Sequence, residues 1–237
     1  MLANGYNQGV KVAIRHPWNV STSRAREIQE SLAAEVERSG DVNGVRFIAG
    51  VDISVKRELG EATGAVVVLE YPGLQVVETN ILRSGLDFPY VPGLLSFREA
   101  PLILEACAGL KTGPQLIMVD GQGIAHPRRL GLASHLGLFL NVPTIGCAKS
   151  RLCGQHDTPG LEAGSYAEIT DRGETIGAVV RTRRGVKPMY ISIGHMISLE
   201  SAIGWVLKCG RGYRLPEPTR LAHLAAGGNL KPGGDTV

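Results

Sequence analysis

The sequence predicts an α/β protein: a mixed sheet, made of an antiparallel three-strand meander plus parallel strands, flanked by helices. Three observations carry this reading. The strand-like runs 45–54, 64–70 and 75–83 follow one another through short links that each contain glycine, the mark of a meander. Beyond residue 96, helical and strand-like spacings alternate, which asks for helices packed on a sheet with parallel members. The chain has 237 residues, 43% of them hydrophobic, enough for one sizeable core.

Taken in order, residues 1–20 are first Gly/Asn-rich and then hold Pro17 and Trp18, and read as a loosely ordered arm. Ser21, Thr22 and Ser23 offer helix caps, and residues 24–38 place Ile28, Leu32, Ala33 and Val36 on one face. A turn at 41–44 leads into the three strands of the meander. A helix is predicted over 96–110, with Ser96 as N-cap and Glu99 three residues later as a capping box. Then come a strand over 116–120, a Leu-rich helix over 128–141 and a strand over 144–148. Further strands fit 175–182 and 189–193, and helices fit 198–209 and 217–226, the last with Pro218 in its first turn. Residues 21–226 read as a single domain and 227–237 as a disordered Gly/Pro tail.

Bulk properties exclude several classes. Net charge is +3, so any nucleic-acid contact must come from local patches, and 5% aromatic residues do not make an extended stacking platform. No apolar run approaches the ~20 residues that cross a bilayer, and no signal peptide is evident. Cys107, Cys147, Cys153 and Cys209 form no Cys-x-x-Cys pair and no zinc spacing. They read as four reduced thiols of a cytoplasmic protein.

The chemistry lies in carboxylates. Asp52 follows the apolar run 45–51, Asp120 ends 116–119, and Glu99 sits near the start of the predicted helix after Phe97. In the sheet described above, Asp52 and Asp120 would face each other, with Glu99 arriving from the helix between. Buried carboxylates that converge repel one another, and a divalent cation relieves that repulsion. Oxygen ligands suit Mg²⁺, with Mn²⁺ able to substitute, rather than zinc. Residues 119–127 resemble a phosphate-cradling loop, but His126 stands where a dinucleotide fingerprint needs its third glycine. There is no Gly-x-Ser-x-Gly elbow, and Ser134 lies within a helix. Pro89 and Pro92 bracket Tyr90 and Val91 and stiffen that loop, which suits a packed turn or a wedge that enters a base step. Lys149 follows a strand and would hold a phosphate oxygen if it stood beside the carboxylates. His195 reads as a core histidine. His16, His135 and His156 have no supporting context.

Five segments together resemble the endonuclease V family, over about residues 22–226. They are Ile48-Ala49-Gly50-Val51-Asp52, residues 89–99, residues 119–128, Pro143-Thr144-Ile145-Gly146-Cys147-Ala148-Lys149-Ser150 and residues 214–222. The resemblance implies an RNase H-like fold. It implies metal binding by Asp52, Glu99, Asp120 and His223, a strand-separating wedge of Pro89, Tyr90, Val91 and Pro92, and catalytic support from His126 and Lys149. Gly93, Leu95, Gly121 and Leu152 fall where the family forms its pocket for hypoxanthine. The implied reaction is cleavage of the second phosphodiester 3′ to deoxyinosine in DNA, leaving a 3′-hydroxyl and a 5′-phosphate, by a monomer. Inosine-containing RNA is the alternative substrate. A module that binds without cutting, or another RNase H-like nuclease indifferent to inosine, are the rival classes.

Overall fold

The computed structural model describes residues 10–56 and 60–230. The first part of the expected arm and the end of the expected tail lie outside these residues. In chain order the elements are α1 (Thr22–Ala33), β1 (Phe47–Lys56), β2 (Glu61–Glu70), β3 (Gln75–Gly85), α2 (Leu95–Ala108), β4 (Leu116–Val119) and α3 (Leu132–Leu140). There follow β5 (Thr144–Ala148), β6 (Tyr166–Asp171), β7 (Glu174–Val180), β8 (Met189–His195), α4 (Leu199–Lys208) and α5 (Glu217–Ala226). The strands form one sheet in the order β3-β2-β1-β4-β5-β8-β7-β6. β1 to β3 are the antiparallel meander, β1, β4 and β5 run parallel, and β8, β7 and β6 return antiparallel. This is the mixed sheet that the sequence predicts.

Strand alternation sorts the core into two layers. Ile48 of β1 and Leu116 and Met118 of β4 pack with residues of α1, α4 and α5. Ala49, Val51, Ile117 and Val119 point the other way, against α2 and α3. No helix among the described residues is long and apolar enough to cross a membrane.

Several boundaries move for identifiable reasons. α1 ends at Ala33 because the chain then turns to meet β8: the Glu37 N–H donates to His195 Nδ1 and the Glu37 carbonyl accepts from Met196 N–H. His195 is thus a buried core histidine. α3 begins at Leu132 rather than at 128, since Arg129 is left-handed (φ 56°) and Gly131 is extended. Arg129 instead reaches Asp171 and Glu174 of the β6–β7 hairpin. β6 is not among the predicted strands. It is an edge strand in which Ile169 is the buried residue, and its two-residue turn is Arg172-Gly173, both with positive φ. That is the backbone of a type I′ turn without the Asn-Gly that would announce it.

The capping box at α2 is not formed. The helix starts at Leu95 with Leu94 at the N-cap, and Ser96 is inside it. Its hydroxyl is drawn instead into a buried chain of hydrogen bonds. Ser96 Oγ–H donates to His135 Nδ1 (3.0 Å), His135 Nε2–H donates to His16 Nε2 (2.7 Å), and His16 Nδ1–H donates to the Pro17 carbonyl (2.9 Å). The carbonyl can only accept, so it fixes the proton on His16 Nδ1, and every other proton follows if both rings are neutral. Trp18, Phe97 and Phe139 pack around the two rings. Residues 10–20 contain no helix or strand, yet they are not loose. Val10, Val12 and Trp18 pack on the core, and Ala13 N–H donates to Phe139 O at 2.7 Å. His16 and His135 have no context in the sequence because the two rings lie 119 residues apart.

Burial holds both rings below the ordinary histidine pKa, His135 further lowered by His16. The unfolded chain therefore takes up protons that the folded protein refuses, so this stability is complete above about pH 6.5 and is lost as pH falls. His16→Phe should cost about 1–3 kcal/mol at pH 7.5, because it strips a buried ring nitrogen of its partner. The gap to the unmutated protein should narrow toward pH 5, where His16 itself opposes folding. Urea midpoints at the two pH values measure this, and an unchanged gap would mean that the pair does not titrate with folding.

Candidate active site

Asp52 and Asp120 meet because β1 and β4 are parallel neighbours with Val51 opposite Val119. The Asp120 N–H donates to the Val51 carbonyl at 2.9 Å, which carries the ladder one step past β4. Asp52 lies within β1, which continues past the predicted end at 54 to Lys56 along β2. Both carboxylates follow the face of Ile48 and Met118, toward α5.

Gly50, two residues before Asp52, brings α5 within reach. A Cβ there would stand 1.8 Å from the Pro218 carbonyl oxygen, so only glycine admits the helix N-terminus this close. One and a half turns further along α5, His223 Nδ1 lies 2.6 Å from Asp52 Oδ2. Lys149, at the end of β5, sets its Nζ 2.5 Å from Asp120 Oδ2 and 3.4 Å from His223 Nδ1. One nitrogen proton cannot serve two ways, and the shorter contact assigns His223 Nδ1–H as donor to Asp52. The Lys149–Asp120 contact is an ion pair off the hydrogen-bonding direction, and Asp120 Oδ2 is buried without a hydrogen bond.

Ligand atoms of Asp52, Asp120 and His223 lie within 4.8 Å of one another. Glu99, in the second turn of α2, is outside that triplet but feels it. Burial first, then Asp52 and Asp120, push its carboxyl up to about 8, against a smaller opposing effect of Arg98. Asp52 is raised by burial and by Asp120, with His223 and Lys149 acting against them. The donor set fits a hard divalent cation: two carboxylates and an imidazole in reach of one point, one carboxylate oxygen without a hydrogen bond, and a third carboxyl beside them.

All but one of the remaining sequence-predicted residues gather at a second place; Pro89 instead lines a different cavity, with Trp18, Phe88 and Arg98. Tyr90, Val91, Pro92, Gly93, Leu95, Gly121, His126 and Leu152 line one cavity of about 150 Å³, together with Gln122 and Leu132. Tyr90 stands at its edge, 63% exposed. His126 belongs to this cavity and is bound to its wall: Nε2–H donates to the Gly93 carbonyl (3.1 Å) and Nδ1 accepts Arg128 N–H (3.2 Å). Burial, with Arg128 beside it, drives its pKa down to about 4, so the ring is neutral at pH 7. Gln122 is a lining residue that sequence reading passed over. Its Nε2 donates to Ser150 O, and its buried Oε1 has no hydrogen bond. The signal was available, since Gln122 stands between Gly121 and Gly123 in the 119–127 loop.

A mixed sheet that carries clustered carboxylates at the edge of parallel strands, beside a cavity and a proline-stiffened aromatic loop, defines an RNase H-like nuclease. The chain belongs to the endonuclease V family, whose sequence profile matches residues 30–224. Endonuclease V of Gloeobacter violaceus is 54% identical over 211 residues, covering 88% of this chain and 86% of that one. The crystal structure of endonuclease V from Streptomyces avermitilis superposes with a TM-score of 0.85 at 39% identity, covering 93% of this chain and 97% of that one. Endonuclease V of Ciona intestinalis, in complex with a 24mer DNA containing an inosine followed by a ribo-adenosine, superposes with a TM-score of 0.75 at 30% identity. That match covers 88% of this chain and 97% of the Ciona chain.

Because cation binding must displace protons from Glu99 and Asp52, Mn²⁺ affinity should rise between about pH 6 and pH 8. Asp120→Ala should weaken it at least tenfold at either pH. Calorimetric titration reads both, and a pH-independent affinity would take these carboxyls out of the site.

Proposed function

We propose that this protein is a metal-dependent endonuclease that recognises deoxyinosine in DNA and hydrolyses the second phosphodiester 3′ to it, leaving a 3′-hydroxyl and a 5′-phosphate. The observation that carries the reading is the convergence of Asp52, Asp120 and His223, with Lys149 against Asp120. The Ciona relative's complex with inosine-containing DNA supports the substrate.

Asp52, Asp120 and His223, with Glu99 adjacent, would hold Mg²⁺, or Mn²⁺ in its place. When bound, the ion supplies positive charge to the phosphate and acidifies a water molecule. The chain's own residues do the rest. Lys149 adds a fixed charge where the phosphate oxygens gather negative charge. His223 holds the Asp52 carboxylate in one orientation through its 2.6 Å hydrogen bond. Tyr90, stiffened by Pro89 and Pro92, enters the base stack, and the extruded base is taken up by the cavity of Gly93, Leu95, Gly121 and Leu152. Unstacking costs least at a weak pair, which favours inosine over normal bases. His126, neutral and doubly hydrogen-bonded, keeps the cavity wall in place. Four free thiols fit a reducing compartment, which supports action in the cytoplasm, and the site is complete within one chain.

A second reading is inosine in RNA, drawn from the ribo-adenosine that follows the inosine in the Ciona complex. Matched end-labelled strands with one deoxyinosine or one inosine decide between them.

Purified protein with Mg²⁺ should nick a deoxyinosine duplex one nucleotide beyond the lesion on its 3′ side. Gel mapping of the end-labelled product tests this, and random or absent nicks refute the reading. Asp120→Ala should lower the rate at least about a hundredfold yet leave lesion binding intact, since a ligand for the cation is lost but not the cavity. Tyr90→Ala should weaken lesion binding about tenfold, the order of one lost aromatic–base stack. Filter binding separates the two, and equal affinity of the unmutated protein for lesion and intact duplex would discard the wedge.

A further inference from the structure

The loop that holds Tyr90 is anchored from the far side of the molecule. Val91, Pro92, Gly93 and Leu94 form a β-turn: Leu94 N–H donates to the Val91 carbonyl at 2.9 Å, and Gly93 has φ 78°. Proline at the second position and a positive-φ glycine at the third are the type II pattern. The turn's own hydrogen bond does not orient it toward the rest of the protein. The Gly93 carbonyl does that, and it accepts twice, from His126 Nε2 at 3.1 Å and from Arg128 Nη2 at 2.7 Å.

Arg128 is itself held. Its Nε–H donates to Gln29 Oε1 at 2.7 Å, and Gln29 Nε2–H donates to the Leu130 carbonyl at 3.1 Å. Gln29 is 1% exposed, on the buried face of α1 with Ala25, Ile28 and Leu32. A buried amide among apolar neighbours is unfavourable unless both ends are bonded, and here both are. At the other end of the loop, Arg98 Nη1 donates to the Phe88 carbonyl at 2.6 Å. The loop is therefore clamped at Phe88 and at Gly93, and Tyr90 projects between the clamps.

We infer that Gln29 is a positioning residue for lesion discrimination: through Arg128 it locks the Gly93 turn, and so the wedge and the cavity mouth, before DNA arrives. The inference rests on the proposed function for its role and on the hydrogen bonds alone for the clamp. An arginine side chain has many rotamers, and only one delivers Nη2 to Gly93 while Nε faces α1. Removing the Gln29 acceptor frees the guanidinium to turn toward solvent or a phosphate, and the turn keeps only the neutral His126 bond. A loop that must displace a base loses selectivity when it is not preorganised, because ordering it then draws on the binding energy that distinguishes lesion from normal base. α1 thereby contributes to the recognition loop although its residues do not line the cavity.

Gln29→Met keeps the length and the packing but removes both hydrogen bonds. Gln29→Glu keeps the acceptor for Arg128. In the free protein, hydrogen exchange followed by NMR should be at least tenfold faster at the Leu94 amide in Gln29→Met, and near the unmutated rate in Gln29→Glu. With Mg²⁺ and a deoxyinosine duplex against the same duplex carrying adenine, the ratio of kcat/KM should fall about tenfold in Gln29→Met. The loss should come through KM, with kcat within twofold. In an Arg128→Met background, Gln29→Met should cost nothing further. Unchanged Leu94 exchange overturns the clamp whatever the activity. Additive losses in the double variant, or a fall in kcat matched by a fall in Tm, overturn the positioning role. A protein that lacks any preference for deoxyinosine, but whose Leu94 exchange responds as stated, keeps the clamp and brings down the functional reading instead.

Discussion

Two carboxylates forced side by side by a parallel strand pair are the constraint on which the rest of this molecule depends. The β1–β4 register puts Val51 beside Val119, and the next residue on each strand is an aspartate nearly removed from water. Like charges at such a distance in a poorly polarisable setting repel strongly. The fold answers from two directions. Lys149 comes from β5, the next parallel strand, and His223 comes down from α5, admitted by the missing side chain at Gly50. What remains uncompensated is visible in the raised carboxyls of Glu99 and Asp52. A site so arranged is poised for a cation because its ligands are costly to keep together without one.

The reacting end and the recognising end are separate places joined by one helix. The first turns of α2 hold Leu95, which lines the cavity, Ser96, which bonds to His135, and Glu99, which senses both aspartates. A shift of α2 would move cavity wall, internal anchor and acidic group together. Under the proposed function, the distance between a bound base and the phosphate to be cut would be set by this rigid element rather than by the loop. The loop supplies the aromatic group, and its two prolines and its clamped carbonyls remove much of the entropy that an exposed tyrosine would otherwise lose on insertion.

Polar groups leading inward from the cavity wall show the same economy. Ser96, His135 and His16 form a chain in which every proton has an acceptor, ending on a backbone carbonyl of the segment that precedes α1. That chain lets a stretch without helix or strand dock against α2 and α3 through aromatic packing. Residues 10–20 therefore contribute to the core through a few side chains rather than through regular structure.

The strands with strong apolar runs, β1, β2, β4, β5, β7 and β8, were legible in the sequence because deep burial demands such runs whatever lies around them; β3, which has no buried residue, was legible through its alternation and its short link to β2. So were the three carboxylates, Lys149, and the proline-bracketed Tyr90, since a charge or a rigid turn beside a buried run needs a reason within a few residues. The resemblance to a known family added His223, His126 and the four cavity residues, none of which has a local pattern of its own. The sequence also misled where one local signal had two uses. Ser96 and Glu99 have capping-box spacing, but Ser96 bonds to the distant His135, and Glu99 is buried within range of the charges of Asp52 and Asp120. β6 was hidden because an edge strand needs only one buried side chain. Only the tertiary structure decided that His16 meets His135, that Gln29 reaches Arg128, and that His126 serves the cavity wall. Propensity and periodicity act over a few neighbouring residues, whereas these contacts join positions from 33 to 119 residues apart, beyond the reach of any local pattern.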